Sequence, residues 1–149
     1  MSNRFYPEAM PEFPYEPTRE RFDIVRVGDS VGEGVIALVD INPGEVAFAF
    51  TGFYSEAITL FSLQYRDGLH LHDPFFMGKV LHCCDPNAIC DMDRRLFIAR
   101  KPIKAGEFIT MDYASTEDYL YRTFNCECGA ENCRGYVTGR KQAQLQEAI

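Results

Sequence analysis

The residue types best suited to chemistry are the six cysteines, Cys83, Cys84, Cys90, Cys126, Cys128 and Cys133. Three of them form C-x-C-x4-C in the segment CECGAENC, residues 126–133. Short loops of this kind let thiolates converge on one tetrahedral zinc, and Gly129 suits the tight backbone turn between them. A structural zinc takes four ligands, so one donor must come from elsewhere in the chain. The Cys83–Cys84 pair is the obvious source, with His70, His72 and His82 in reserve. The alternative is three buried free cysteines, although clustering with glycine is hard to obtain from core packing alone. His70 and His72 alternate in HLHD and would share one face of an extended segment. A second metal site there competes with ordinary surface or core histidines. Cys90 is either a thiol near a reactive channel or a small buried apolar residue.

These residues need a frame. The chain of 149 residues is one domain by length, with enough chain to bury a core. An apolar fraction of 46% and a charged fraction of 25% are ordinary for a globular protein. That sets aside disorder, collagen-like repeats and coiled coil as the main architecture. Fifteen Lys+Arg against 22 Asp+Glu leave a net charge of −7. No basic face for a phosphate backbone is expected, hence no nucleic-acid partner. An acidic surface suits a basic protein or peptide instead. No apolar run approaches the roughly 18 residues of a membrane span. The opening MSNRFYPEAMPEFPYEP lacks the apolar core of a signal peptide. The expectation is a soluble, cytoplasmic protein without a membrane partner. In that setting metal binding or catalysis is a stronger reading of the cysteines than a disulfide framework.

Residues 1–21 form a Pro-rich irregular arm holding Pro7, Pro11, Pro14 and Pro17, packed by Phe5, Phe13 and Tyr15. From Phe22 the pattern changes. FDIVRV alternates like a strand, GDSVGEG is a turn, and VIALVD reads as a buried strand. INPGE is a turn before the strand VAFAF. Residues 55–65, SEAITLFSLQY, form either a short helix capped by Ser55 or one more strand. RRLFIARKPI reads as a strand with Arg94–Arg95 at a hairpin tip, KAGE as a turn and FITMDY as a strand. RKQAQLQEAI at the C-terminus reads as a frayed helix. Many short strands and little helix predict a mainly β, β-rich α+β fold.

Four segments matter in their order. They are Gly32-Glu33-Gly34 before Val35; Phe50-Thr51-Gly52 after the turn at Pro43-Gly44; Leu81-His82-Cys83-Cys84-Asp85-Pro86-Asn87; and Gly106-Glu107-Phe108-Ile109-Thr110-Met111-Asp112-Tyr113 followed by the cysteine segment and Arg134-Gly135. Each is weak alone. Together, over about residues 22–139, they resemble the SET domain, the β fold of S-adenosylmethionine-dependent protein lysine methyltransferases. The family writes GxG, NHSC-D/E-PN, GEELTFDY and CxCGxxxCRG where this chain has GEG, LHCCDPN, GEFITMDY and CECGAENCRG. STEDYLYRTF before the cysteines is similar to small bacterial members.

The resemblance implies a SET domain at 22–122, a zinc-binding post-SET segment at 123–139 and a tail at 140–149. It implies a β-clip in which the chain after Asp85-Pro86-Asn87 passes under another segment as a pseudoknot. S-adenosylmethionine would lie against Gly32, Glu33 and Gly34, position 81, His82, Tyr113 and Phe124. Tyr113 would be the catalytic tyrosine. Phe50, Cys90 and Met111 would line the substrate channel. Cys84 would join Cys126, Cys128 and Cys133 on one zinc. Three positions depart from the family: Leu81 replaces an asparagine that grips the cofactor, Phe50 a tyrosine, and Met111 an aromatic residue. Cys83 also replaces a serine. Losing a hydrogen bond to a charged group costs on the order of 1.5–3 kcal/mol. The departures fit a tolerant enzyme or an altered acceptor first, since Tyr113 remains in place, and a changed or lost activity second. The implied activity is methyl transfer to an amine, a lysine by analogy. A small-molecule acceptor, another reaction of S-adenosylmethionine, and a non-catalytic module are the alternatives.

Overall fold

The computed structural model describes residues 3–28 and 32–142. Twelve short strands and almost no helix make up the described chain. β1 (Phe22–Val27) pairs antiparallel with β2 (Gly32–Ala37), Phe22 opposite Ala37. β3 (Val46–Ala49), β8 (Ala88–Asp91) and β9 (Leu96–Ala99) form a sheet with β9 in the middle. β4 (Phe53–Ser55), β5 (Ser62–Arg66) and β6 (Leu69–His72) form another, with β6 in the middle. β7 (Leu81–His82) runs parallel to β10 (Thr110–Met111). β11 (Phe124–Asn125) and β12 (Tyr136–Val137) close a small antiparallel ribbon. The β-rich prediction therefore holds. Among the described residues no helix is long and apolar enough to cross a membrane.

Local chemistry explains where elements differ from expectation. Of the two readings of residues 55–65, the structure takes the strand. Ser55 ends β4 and Ser62 begins β5, which turns through Asp67-Gly68 into β6. An Asp-Gly pair between apolar runs is a strong hairpin signal, and it wins over a marginal helix. FITMDY pairs as a strand only at Thr110–Met111. Tyr113–Ser115 coils into a 3-10 turn, because the Asp112 carboxylate accepts the Ala114 N–H and caps it. Arg94 and Arg95 do close the β8–β9 hairpin. The C-terminal helix is present at residues 140–142, and the rest of that segment lies outside the described residues.

The core is aromatic. Phe48 is fully buried, stacked on Phe97 at 4.7 Å, and edge-on to Phe22, Phe50 and Phe76. Offset and edge-on ring pairs of this kind add about 0.5–1.5 kcal/mol each beyond area burial. The N-terminal arm docks on this core, but not through Tyr15, which is 67% exposed. Tyr6 takes its place: it is buried, and its hydroxyl donates to Asp73 Oδ2 at 2.6 Å. The buried Asp73 carboxylate also accepts the N–H groups of Phe75, Phe76 and Met77. Burial pushes its pKa up, while these four donors favour the charged form. Arg4 ties the arm to itself, with Nε donating to Glu16 at 2.6 Å and a second nitrogen to the Met10 carbonyl at 2.7 Å.

Candidate functional site

The run Lys79–Cys84 is the spine of the site. Each residue in it meets one of the segments singled out above. Lys79 Nζ pairs with Glu33 at 3.0 Å. The Val80 carbonyl accepts the Tyr113 hydroxyl at 2.8 Å. Leu81 packs against Gly34 so closely that a Cβ there would stand 2.8 Å from Leu81 Cδ1 and 2.9 Å from Phe108 Cε1. A side chain at position 34 is thus excluded by packing within the fold. His82 Nδ1 accepts the Tyr113 N–H at 3.1 Å, which leaves Nε2 as the donor facing Cys84 Sγ at 3.4 Å. The rings of His82, Tyr113 and Phe124 form a triangle with centroids 5.1, 5.5 and 6.0 Å apart.

Backbone pairing puts this spine beside the 105–113 segment. β7 lies parallel to β10, and Cys83 N–H donates to the Met111 carbonyl at 2.9 Å. Asn87 stitches the two stretches together. Its Nδ2 donates to the Phe108 carbonyl at 2.8 Å and its Oδ1 accepts the Thr110 N–H at 2.8 Å. Asp85 reaches out of its own turn: its carboxylate pairs with Arg100 at 2.8 Å and with Lys101.

The four sulfurs of Cys84, Cys126, Cys128 and Cys133 lie within 4.8 Å of one another. Cys84 and Cys126 are 3.9 Å apart. Four thiolates held tetrahedrally at about 2.3 Å from a zinc stand about 3.8 Å apart, so the set fits such an ion. The open choice of fourth donor falls to Cys84, because β7 turns that side chain under the cysteine loop, where Arg134 N–H donates to it at 3.5 Å. Among the described residues this is the single group of three or more convergent ligands. His70 and His72 are not part of it. His70 is buried with Nδ1 unpartnered, and His72 Nδ1 bonds Thr59 Oγ1 at 2.7 Å. Burial raises the Cys126 thiol, whereas backbone N–H groups of Cys84 and Ala130 lower Cys128.

Arg134 links the cysteine loop to the tyrosine. Its guanidinium engages both oxygens of Asp112, one at 2.9 Å, and Asp112 Oδ1 lies 3.8 Å from His82 Nδ1. Burial works against the Asp112 carboxylate, but Arg134 and the Ala114 N–H outweigh it and hold its pKa down. Burial lowers His82 to about 4, against the pull of Asp112, so the imidazole is neutral at pH 7. Burial, then the nearby Glu117 charge, raises the Tyr113 hydroxyl, which stays protonated. Glu117 is itself buried. Its Oε2 accepts the Gln64 N–H at 2.6 Å, and burial lifts its carboxyl to about 7.

The sequence-predicted residues thus fall into three groups. His82, Tyr113 and Phe124 converge, with Leu81 and Gly34 against their side of the spine and Glu33 at its end. The four zinc candidates converge beside them. Phe50 and Met111 are interior side chains of the main core, and Cys90, raised by burial, packs against it with Sγ 3.4 Å from Met92 Sδ. Sequence reasoning assigned no role to Lys79, Asp112, Arg134 or Glu117. Arg134 and Asp112 stood inside quoted motifs as opposite charges flanking the two reactive clusters, a signal that was there to use. Glu117 carried none, since burial of an acid is invisible in one sequence.

No family model matches the chain. A zebrafish (Danio rerio) protein, histone-lysine N-methyltransferase SUV39H1-A, is 30% identical over 165 aligned residues, 76% of this chain and 40% of its own length. Methyltransferase flvH of Aspergillus flavus is 31% identical over 91 residues, 58% of this chain and 49% of its own. This chain therefore spans less than half of either relative. Among solved structures, KRYPTONITE in complex with mCHG DNA and SAH superposes with a TM-score of 0.63 at 21% identity, covering 77% of this chain and 28% of that one. The fold is the β fold of a SET domain.

Proposed function

We propose that this chain, built on a SET-domain fold, is an S-adenosylmethionine-dependent methyltransferase whose acceptor is an amine, a protein lysine foremost. One observation carries the reading: Tyr113, His82 and Phe124 are locked together on a spine that also bears the cysteine cluster. The names of the two relatives support methyl transfer, and that of SUV39H1-A supports lysine. S-adenosylmethionine, when bound, supplies a methyl group on a sulfonium. The residues that would hold it are Gly32, Glu33 and Gly34, the His82 backbone and the Phe124 ring, with the zinc ion on Cys84, Cys126, Cys128 and Cys133 as a clamp on the last of these. That Leu81 can grip no polar group agrees with a hold made chiefly by backbone and ring.

The chain's own groups do the rest. The Tyr113 hydroxyl spends its proton on the Val80 carbonyl, so its lone pairs are left to accept an N–H from an incoming amine. Because burial keeps it protonated, it orients and does not act as a base. An amine must be neutral to attack. The Phe124 ring beside Tyr113 favours that form by desolvation, which depresses a lysine pKa. Alignment of the two reactants then contributes to the acceleration. A −7 chain suits a basic peptide as acceptor and a cytoplasmic setting suits its free thiols. KRYPTONITE was solved with DNA, but over nearly three quarters of its length it has no counterpart here.

A second reading, a binding module without turnover, is favoured by Leu81 filling the space beside Gly34. Mass spectrometry of S-adenosylmethionine incubated with zinc-replete protein separates the two. S-adenosylhomocysteine formed only when basic peptides or a small amine are present supports methyl transfer and sorts the acceptors. Cleavage to methylthioadenosine, or intact S-adenosylmethionine under every condition, overturns it. Tyr113→Phe is expected to lose turnover, and unchanged turnover would remove the tyrosine from the mechanism.

A further inference from the structure

Tyr6 is remote in sequence from the four motif segments, yet its hydroxyl ties one of them to the stretch that leads into another. It donates to Asp73 Oδ2 at 2.6 Å and accepts the Thr51 N–H at 3.3 Å. Thr51 belongs to the Phe50-Thr51-Gly52 segment, and Asp73 precedes the 3-10 turn Met77–Lys79 that runs into the spine. The two stretches lie in contact, since a Cβ on Gly52 would collide with the His72 carbonyl oxygen. Three of the four donors to the Asp73 carboxylate are N–H groups of its own turn, those of Phe75, Phe76 and Met77. Tyr6 is the fourth and comes from another part of the chain, so it fixes where that turn sits. Both partners are buried, where a polar contact is strong and costly to lose.

We propose that Tyr6, on the N-terminal arm, is a positioning residue for Tyr113, acting through Asp73 and the turn that follows it. The turn has no slack to absorb a shift of Asp73. Gly78 N–H donates to the Asp73 carbonyl at 3.0 Å, and a Cβ on Gly78 would collide with that same oxygen. The Lys79 and Val80 N–H groups close on the Phe76 and Met77 carbonyls at 3.0 and 3.1 Å. A displacement of Asp73 is therefore passed to the two residues that meet the site. Lys79 pairs with Glu33, and the Val80 carbonyl holds the Tyr113 hydroxyl. The arm is seated for this task by its rings: Phe5 lies 4.8 Å from Phe76, and Tyr6 packs edge-on against Phe13 and Phe75. The consequence for turnover rests on the methyltransferase reading; the positioning of the turn does not.

The test is amide hydrogen exchange by NMR on the full chain, comparing the parent with Tyr6→Phe. That variant keeps the ring contacts and removes only the hydroxyl. Exchange is expected to rise by about tenfold or more at Met77, Val80 and Tyr113, whose N–H groups donate to Asp73, Met77 and His82. The amides of β3, β8 and β9 keep the protection of the parent. Unchanged exchange at Met77 and Val80, or a rise confined to residues 3–21, overturns the proposal. So does a rise of equal size across β3, β8 and β9, which makes Tyr6 a residue of general stability. Turnover gives the second readout. In Tyr6→Phe, kcat for methyl transfer is expected to fall several-fold at unchanged acceptor KM, because the Tyr113 hydroxyl acts on the amine in the transition state. Unchanged kcat beside faster exchange cuts the link to Tyr113 and overturns the proposal as well. A parent that forms no S-adenosylhomocysteine fails the methyltransferase reading alone, and the exchange result still decides whether Tyr6 sets the turn.

Discussion

The phenylalanine core and the cysteine loop are held by different physics, although they share the 79–84 spine. Among the described residues the core gathers twenty buried side chains, from Phe5 to Met111. The cluster around the loop holds three, Cys84, Cys126 and Val137. Apolar burial at about 25 cal/mol per Å² is ample for the first and too little for the second. The loop is instead tied by polar links: Asn132 Nδ2 to the Cys84 carbonyl at 3.0 Å, Cys126 N–H to the Gly135 carbonyl at 2.8 Å, and Arg134 to Asp112. The half of the site that brings Phe124 is therefore the half that a metal on the four thiols would hold. Rigidity at Tyr113 comes from the core side, through Val80, and coupling comes from the loop side, through Arg134.

The sharpest way to break this contrast is Phe48→Ala. Phe48 is fully buried among four rings, and its truncation is expected to cost about 3–5 kcal/mol in denaturant unfolding. A cost near zero would mean that the core is not what holds the fold. Next comes metal removal. Chelation is expected to abolish hydrogen-exchange protection at Phe124–Asn125 and Tyr136–Val137 while β3, β8 and β9 keep theirs. Collapse of protection throughout would show that the two regions are one cooperative unit.

Glu117 lies at the border, where it joins β5 to the turn after Tyr113. Its carboxyl pKa is raised to about 7, so the folded state holds the proton more tightly than the unfolded chain does. The stability this contributes is complete at acid pH, below the ordinary carboxylate range, and is lost as pH rises through about 7. The loss is on the order of 3 kcal/mol at most. Glu117→Gln is expected to flatten that slope in urea titrations from pH 5 to 8 and to leave the variant the more stable at pH 8. An unchanged slope would place the titration elsewhere. The smallest effect belongs to Asp112→Asn, which weakens a partly exposed pair and is expected to cost about 1 kcal/mol or less in global stability. Its readout is local: loss of protection in the loop with little shift in the midpoint of unfolding.

The short strands and the turn at Pro43-Gly44 follow from patterns in the residues themselves, while the convergence of Cys84 with the C-x-C-x4-C loop and the meeting of His82, Tyr113 and Phe124 were what the resemblance to the SET domain implied. They were legible because turn chemistry is local and because motif order constrains which segments must meet. The fate of residues 55–65 was open, since a short apolar run satisfies either period until a partner strand is present. Tyr15 and Tyr6 exchanged roles because an irregular arm has no periodicity from which a buried face can be read.

By itself the sequence determined residue types and their order: thiols spaced for a tetrahedral ion, a tyrosine at the end of a β segment, a net charge of −7. Only the tertiary structure decided which groups are dry. Burial makes Glu117 titrate near neutrality, keeps His82 neutral and Tyr113 protonated, and joins Asp73 to Tyr6 across 67 residues. Desolvation and long-range pairing depend on what packs around a group. One chain's linear order carries the identity of those neighbours but not their distance.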